Sequence, residues 1–203
     1  MSSEDLKKLA AEKAVEQVKS GMVIGLGTGS TAKYAVMKIG ELWQAGKLTD
    51  IVCIPTGEGT AALSRQYDLP LAALDDYPLI DIAIDGADEI GPKLDLSKGL
   101  GGALLREKMI ELATHRFIVV ADDSKLVDKL GTHSPLPVEV TQFGWKYLAG
   151  WLVALGCVPA LRGGEARPFV TDNGNFILDC TFPHGIAQPV ELAETLSRQP
   201  GIV

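Results

Sequence analysis

Apolar and polar residues repeat along the chain with helical and strand periods, and these periods predict the order of its elements. An N-terminal helix is predicted by apolar residues at steps of three and four positions, namely Leu6, Leu9, Ala10, Ala14 and Val18. Ser20 and Gly21 are expected to end this helix. The run MVIGLG then predicts a strand that enters a glycine loop, and TAKYAVMKIGELWQ returns to helical spacing. These segments predict the opening of a βα unit.

The same alternation continues to residue 131. Strands are predicted at IVCIP, at the short LAAL, at IDIAID and at RFIVVAD, and helices at GEGTAALSRQY and ALLREKMIELATH. Apolar strands that alternate with helices favour an α/β fold with a doubly wound, mostly parallel sheet, covered by helices on both faces. Such sheets bind ligands beyond the carboxyl ends of their strands. We therefore expect residues 1–131 to form the main domain and to carry its site at that edge.

A different pattern begins at Thr132. It predicts a strand at PLPVEV, a helix at TQFGWKYLAGWLVALG, strands at CVPALR and FVTDNGNFILDCTF, and a last helix at PVELAETLSRQ. This β-α-β-β-α order is typical of a small ferredoxin-like α+β module. The TDNGN segment is also compatible with a hairpin turn. Residues 132–203 are therefore expected to form a second, smaller domain.

Composition narrows the class of protein. The net charge of −7 and the pI near 5.0 argue against a nucleic-acid binder, since phosphate backbones attract clustered Lys and Arg. The N-terminus mixes acids and bases and no long apolar run follows it, which disfavours a signal peptide or a membrane span. Three widely separated cysteines indicate neither a disulfide framework nor a zinc site. We expect a soluble, cytoplasmic protein without a metal centre.

The segment Gly25–Thr31, GLGTGST, lies between a predicted strand and a predicted helix. Its glycines would let backbone amides approach an anion, and the start of the helix would add partial positive charge. It matches neither the dinucleotide fingerprint G-x-G-x-x-G nor a P-loop. A phosphate cradle and a plain glycine turn with a Ser/Thr N-cap both remain open.

The segment Asp85–Glu89, DGADE, follows the strand IDIAID directly. Three carboxylates in five residues repel one another unless they handle protons or hold a cation. A solvated acidic turn is the alternative, and metal binding is less favoured because no histidine lies nearby.

The segment Lys98–Lys108, KGLGGALLREK, joins a lysine and a glycine loop to the start of a helix. Lys98 and the loop amides are suited to an oxyanion. Helical spacing puts Glu107 opposite the apolar stripe of Leu105, Met109 and Leu112, which predicts that it lies outside the buried stripe. A base in a cleft and a surface glutamate are both compatible with that position. In ADDSK, Lys125 in isolation is a solvated charge.

In this order, on successive βα units, GLGTGST, DGADE, KGLGGALLREK and ADDSK resemble the ribose-5-phosphate isomerase type A family. PLPVEV and VTDNGNFILD match the family pattern as well, so the resemblance spans nearly the whole chain. It implies an aldose-ketose isomerase of the pentose phosphate pathway, which interconverts D-ribose 5-phosphate and D-ribulose 5-phosphate through an enediolate. It further implies a small sugar phosphate as partner, no cofactor, no nucleic acid or membrane, and a homodimer.

The resemblance also assigns roles to individual residues. Glu107 would be the proton acceptor, and Asp85, Asp88 and Lys98 would act with it. The substrate would be bound by Thr28, Gly29, Ser30, Thr31, Asp85, Gly86, Ala87, Asp88, Lys98, Gly99, Leu100, Gly101 and Lys125. Leu100 stands where many members have a third consecutive glycine, and its amide is expected to serve equally well. Family members also continue past PGIV with an apolar segment that returns to the main sheet, so either the chain is a fragment or the smaller domain lacks this strand.

Two other functions are compatible with the same scaffold. One is a sugar-phosphate enzyme of another type, such as an amino-sugar-phosphate deaminase or a coenzyme A transferase. A deaminase would be expected to pair a histidine with its acids, and no such spacing occurs. The other is an inactive sugar-phosphate sensor, against which the presence of Glu107, Lys98 and Asp85 argues.

Overall fold

The computed structural model describes residues 2–203 and contains six α-helices and nine strands in that range. In chain order they are α1 (Ser3–Val15), β1 (Val23–Leu26), α2 (Ala32–Gln44), β2 (Val52–Pro55), α3 (Glu58–Arg65), β3 (Ile80–Asp85), β4 (Glu89–Ile90), β5 (Leu96–Ser97), α4 (Leu104–Leu112), β6 (Thr114–Val119), β7 (Leu136–Val140), α5 (Trp145–Val153), β8 (Val158–Leu161), β9 (Phe176–Thr181) and α6 (Pro189–Ser197). A short 3-10 turn, Asp123–Lys125, follows β6.

Contacts group the described residues into two compact units. The first contains the residues up to Gly86 together with Arg106–Ser124, and the second contains Ala87–Leu105 and Lys125–Val203. The chain therefore crosses from one unit to the other three times. The division into residues 1–131 and 132–203 stays a prediction, and this grouping puts two earlier segments with the smaller module.

The first unit is built on a four-stranded parallel sheet with the order β2-β1-β3-β6. Residues of α1 and α2 pack on one face of the sheet, together with Ile24, Leu26 and Ile82. On the other face, Ile110 of α4 packs with Ile54 and Ala83. Helices cover both faces, so the predicted doubly wound α/β architecture is confirmed.

The second unit contains a three-stranded antiparallel sheet with the order β7-β9-β8. Helix α5 packs on it through Leu148 and Leu152, which join Val138, Val140 and Leu178 in one apolar cluster. The β-α-β-β-α order predicted for the smaller module is the one observed. In the TDNGN segment the N–H of Thr171 donates to the carbonyl of Asn175 at 2.9 Å, which closes a turn before β9.

The structure departs from the predicted elements at LAAL, at the end of α4 and at an unpredicted pair of strands. LAAL forms no strand: Leu71 makes a single parallel bridge to Cys53, and the next donor on β2 would be Pro55, which has no N–H to extend the ladder. Helix α4 ends at Leu112 because Thr114 already pairs with Ile80 in the sheet. The antiparallel pair β4 and β5, two residues each, was not predicted. None of the helices in residues 2–203 combines the length and the apolar character needed to cross a membrane.

Candidate active site

In the first unit, the loop Gly25–Thr31 connects β1 to the N-terminus of α2. Gly29 and Ser30 are exposed, and Gly29 has a φ of 139°, which a residue with a side chain rarely adopts. Thr31 is the N-cap residue of α2, yet its side chain makes no capping hydrogen bond. The interpretation as a plain Ser/Thr-capped turn therefore loses support. The loop presents an exposed backbone beside the positive end of a 13-residue helix, as anion sites do.

Thr28 has a different environment from the residues that follow it. Its hydroxyl lies 2.7 Å from the Thr56 hydroxyl and 2.8 Å from the Thr60 hydroxyl. Thr56 and Thr60 donate in turn to the carbonyls of Leu26 and Gly27. This network fixes the base of the loop against the segment that enters α3. The Thr28 side chain is thus a support of the loop, while Gly29 and Ser30 form its exposed rim.

Asp85 ends β3 beside this loop and is 2% exposed. Its Oδ1 accepts the N–H of Gly86 at 2.7 Å, and its carbonyl accepts the N–H of Val120 at 2.8 Å. A Cβ atom on Gly27 would lie 2.2 Å from Oδ1 of Asp85 and 2.6 Å from its Cα. The second glycine of GLGTGST therefore makes room for the first carboxylate of DGADE.

Glu107 lies in α4 and is buried, with 3% exposure. The prediction that it lies outside the buried stripe is wrong: it shares the inward face with Ile110, whereas Met109 is 50% and Leu112 is 79% exposed. Periodicity identified a stripe but not the face of α4 that is covered. Glutamates are rarely buried without a partner or a function, so burial disfavours the interpretation of Glu107 as a surface glutamate.

A third carboxylate, Glu111, lies one turn after Glu107 on α4. Carboxylate oxygens of Asp85, Glu107 and Glu111 lie within 4.8 Å of one another. Three ionised groups at this separation repel one another, which favours a proton or a cationic partner in their midst. An oxygen-only set of this kind would suit a hard cation such as Mg²⁺, and it equally suits proton transfer.

In the second unit, Asp88 and the glycine loop after β5 form a separate cluster. Oδ2 of Asp88 accepts the N–H of Leu100 at 2.8 Å, and the N–H of Asp88 donates to the Ser97 carbonyl at 2.8 Å. The left-handed backbone in this loop falls on Gly99 and Gly102, with φ of 107° and 83°. A leucine at position 100 is therefore tolerated, and its amide is directed at a predicted site residue.

Burial raises the pKa of Asp88 above the usual value of an aspartate. The N–H of Leu100 and the positive charges of Lys98, Lys125 and Arg162 act against that rise. Lys98 follows β5, and Lys125 ends the 3-10 turn after β6. Three cations thus surround a half-buried carboxylate, a favourable setting for a second anionic group.

The remaining predicted residues lie beside these clusters. Gly86 and Ala87 continue the chain directly from Asp85, and the buried Gly99 and exposed Gly101 flank Leu100. Two residues near the clusters, Glu111 and Arg162, were missed from the sequence. Glu111 could have been found from its position, because it lies four residues after Glu107 and so on the same face of the helix. No motif indicated Arg162, which comes from a strand end far away in the sequence.

The comparisons with known proteins agree with one another. The family model described as Ribose 5-phosphate isomerase A (phosphoriboisomerase A) matches residues 52–203. The relative named Probable ribose-5-phosphate isomerase 3, chloroplastic, from Arabidopsis thaliana is 51% identical over 209 residues, covering 100% of this chain and 76% of that protein. Ribose-5-phosphate isomerase A of Roseiflexus sp. is 50% identical over 198 residues, covering 97% and 84%.

A solved D-ribose-5-phosphate isomerase, in complex with phospho-erythronic acid, superposes with a TM-score of 0.95 at 42% identity. The match covers 100% of this chain and 89% of that one. With the fold, the motif order and relatives of about half-identical sequence in agreement, the chain belongs to the ribose 5-phosphate isomerase A family.

Proposed function

We propose that the protein interconverts D-ribose 5-phosphate and D-ribulose 5-phosphate through an enediolate, with Glu107 as the base. The observation that carries this proposal is the burial of Glu107 beside Asp85 at the carboxyl edge of the parallel sheet. Sheets of this class bind their ligands at that edge. Membership of the isomerase family supports the reaction itself.

The phosphate of the substrate binds to the loop Thr28–Thr31. Gly29 and Ser30 contribute exposed amides and a hydroxyl, and the N-terminus of α2 contributes partial positive charge. Thr31 is buried at the start of the helix, with 6% exposure, and borders the phosphate site there. The network beneath Thr28 keeps the loop in shape before the substrate arrives.

The chemistry moves one proton between neighbouring carbons. After the sugar ring opens, the Glu107 carboxylate removes the proton from C2 of the aldehyde form, and the C2–H electrons form the enediolate as negative charge moves to the carbonyl oxygen at C1. The same carboxyl returns the proton to C1, while the C2 hydroxyl gives up its proton and the C1 oxygen gains one, which leaves a ketone at C2 and a hydroxyl at C1. No external oxidant is needed, because C1 is reduced as C2 is oxidised. Asp85 assists ring opening by exchanging a proton with the ring oxygen or the C1 hydroxyl.

Residues of the second unit stabilise negative charge. Lys98 and the amides of Gly99 and Gly101 act on the enediolate oxygen, and Asp88, which holds the Leu100 amide, accepts from the substrate hydroxyls. Lys125 contacts the substrate as a further cation. Its charge and that of Lys98 both bear on Asp88, which supports a common role.

We further propose a homodimer that works in the cytoplasm, in the pentose phosphate pathway, without cofactor or metal. Leu79 and Leu112 support the dimer, because their side chains are 80% and 79% exposed. The two leucines belong to neighbouring segments, since the N–H of Ile80 donates to the carbonyl of Ala113. Three reduced, buried cysteines support a reducing compartment. Light scattering of the purified protein tests the dimer, and a monomeric mass at micromolar concentration would exclude it.

The experiment that tests the function is a coupled assay of ribose 5-phosphate conversion with chelator present and no cofactor added. We expect turnover by the wild type and a loss of about 10²–10⁴-fold in kcat for Glu107→Gln, with little change in KM. Glu41→Gln is the matched control, because Glu41 is an exposed glutamate at the other end of α2. Its kcat should equal that of the wild type.

Two results would contradict the proposal. Equal kcat for Glu107→Gln and wild type would remove Glu107 as the base. A folded wild type that binds phospho-erythronic acid, measured by calorimetry, but turns over no pentose phosphate would instead favour the sensor. Phospho-erythronic acid is an informative probe, because a solved relative is in complex with it.

A further inference from the structure

An arginine that no motif indicated contacts the glycine loop of the second unit. Arg162 directly follows β8, and its Nη1 donates to the carbonyl of Leu100 at 3.1 Å. The N–H of the same residue, Leu100, donates to Oδ2 of Asp88 at 2.8 Å. One loop residue therefore links the guanidinium to a carboxylate of the proposed site.

The guanidinium is itself firmly held. Its Nε and Nη2 donate to the two carboxylate oxygens of Asp179 on β9, at 2.9 Å and 2.6 Å. The two side chains are only 17% and 24% exposed, so solvent screens this bidentate pair less than a surface ion pair. A planar group with three of its N–H donors engaged has one orientation, which it imposes on the Leu100 carbonyl.

Phe169 completes the clamp. Its ring lies 5.7 Å from the guanidinium carbon of Arg162. The same ring packs against the loop, because a Cβ atom on Gly102 would lie 2.8 Å from its Cζ atom. The loop is thus restrained at Leu100 by a hydrogen bond and at Gly102 by ring contact, both from the β8–β9 side of the smaller module.

We propose that Arg162 is a positioning residue for the isomerase reaction, which fixes the Lys98–Gly102 loop through the Leu100 carbonyl and thereby keeps the Leu100 amide on Asp88. The inference rests on the proposed function and deepens it. Asp179 orients Arg162, and Phe169 supports both the arginine and the loop. The small α+β module then serves to align a catalytic loop, in addition to any part it has in assembly.

Arg162 also acts on Asp88 through its charge. Burial raises the pKa of Asp88, and the groups that oppose this rise are the Leu100 amide and the cations Lys98, Lys125 and Arg162. Loss of Arg162 removes a cation and loosens the amide at the same time. Both changes make the ionised form of Asp88 less stable, so its pKa rises further.

The test compares two substitutions in kcat/KM measured from pH 5 to pH 9. For Arg162→Met we expect kcat/KM at pH 8 to fall by about tenfold, because the loop loses its anchor. We also expect the acidic limb of the profile to move to higher pH. Arg162→Lys keeps the charge but cannot hold Asp179 and Leu100 together, so its kcat/KM should fall while its acidic limb stays near that of the wild type.

Arg198→Met is the matched control. Arg198 belongs to the same unit and pairs with Glu194 at 3.6 Å, but its side chain is 80% exposed. Wild-type kcat/KM and an unmoved acidic limb are expected for it. If Arg162→Met does not fold, Asp179→Asn takes its place, because it frees the arginine without deleting it, and a smaller loss of kcat/KM is expected. Folded Arg162→Met or Asp179→Asn with wild-type kcat/KM and pH profile would overturn the proposal.

A second measurement separates this inference from the proposed function. Carbon-detected NMR titration of the Asp88 carboxyl needs no turnover, and it should give a higher pKa in Arg162→Met than in the wild type. An inactive wild type would end the proposed function and leave this readout intact. An active wild type with an unshifted Asp88 titration in the folded variant would end the inference alone.

Discussion

Gly27 and Asp85 come from motifs that are far apart in the sequence, and they meet because Gly27 has no side chain. The Cβ of an alanine would lie 2.2 Å from Oδ1 and 2.6 Å from Cα of Asp85, so rotation of the carboxylate cannot relieve the clash. The backbone at the end of β3 has to move. The carboxylate that we assign to ring opening moves with it.

We therefore expect Gly27→Ala to lower kcat/KM by about 10²-fold, the cost of a displacement of roughly 1 Å at a reacting group. Steady-state kinetics on the folded variant measures it. Gly150→Ala serves as the control, since Gly150 is exposed on α5 and its added Cβ meets nothing within 4 Å. A folded Gly27→Ala enzyme with wild-type kcat/KM would show that Asp85 tolerates displacement.

At the residue scale, the sequence predicted which residues matter better than it predicted how they are held. Family motifs singled out Asp85 and Glu107, but the helical pattern of α4 gave Glu107 the wrong face. A hydrophobic stripe shows that two faces of a helix differ and does not show what lies against each one. Leu112 is exposed and Glu107 is buried, as happens when a polar site replaces the core under a helix. The sequence around Arg162 contains no motif that indicates its role, because that role depends on Asp179 on the neighbouring strand β9.

At the element scale, two helical glycines have opposite environments. Gly40 is buried in α2, and a Cβ on it would lie 2.3 Å from Cγ and 2.5 Å from Cβ of Tyr67, too near the backbone for the ring to swing away. Gly150 on α5 has open space around it. The first glycine makes room for a neighbour, whereas the second only weakens its helix.

Substitution by alanine should therefore change stability with opposite sign at these positions. Gly150→Ala is expected to raise the free energy of unfolding by about 0.5–1 kcal/mol, through lower backbone entropy in the unfolded chain. Gly40→Ala is expected to lower it by about 1–3 kcal/mol, the usual cost of overpacking. Chemical denaturation of both variants against wild type measures the difference. A stabilised Gly40→Ala would mean that Tyr67 rearranges freely.

Most elements were predictable because their patterns are long and the alternation of strand and helix is regular. The parallel order β2-β1-β3-β6 follows from βα units that each bury an apolar strand. The elements that the sequence failed to predict correctly are short. LAAL has the composition of a strand but lies beside Pro55 of β2, which cannot donate to it, and β4 and β5 have two residues each, too few to form a period. Their pairing depends on tertiary contacts such as the Glu89 carboxylate, which accepts the N–H groups of His133 and Ser134 at 2.7 Å and 2.8 Å.

At the scale of the whole molecule, the three cysteines report on the two units separately. Cys53 is fully buried in the first unit, and Cys157 and Cys180 are buried in the second. Burial raises the pKa of the Cys53 thiol to about 12. A hydrogen bond with Cys157 and burial also raise the pKa of Cys180, and the same hydrogen bond lowers the pKa of Cys157. Because all three side chains are buried, the native protein should react with a disulfide reagent at pH 8 only when a unit opens.

The chain crosses between the units three times, so each unit is made of two separate segments of sequence. Neither unit can therefore unfold as one continuous segment between two fixed ends. We therefore expect both units to open in one cooperative step. The measurement is the labelling rate with increasing denaturant of two variants, one that keeps Cys53 alone and one that keeps Cys157 alone, the other cysteines being alanine. After correction for each variant's own stability, equal free energies of opening are expected. A lower value for Cys157 would instead show that the smaller module, with Arg162 and its loop, opens while the parallel sheet stays intact.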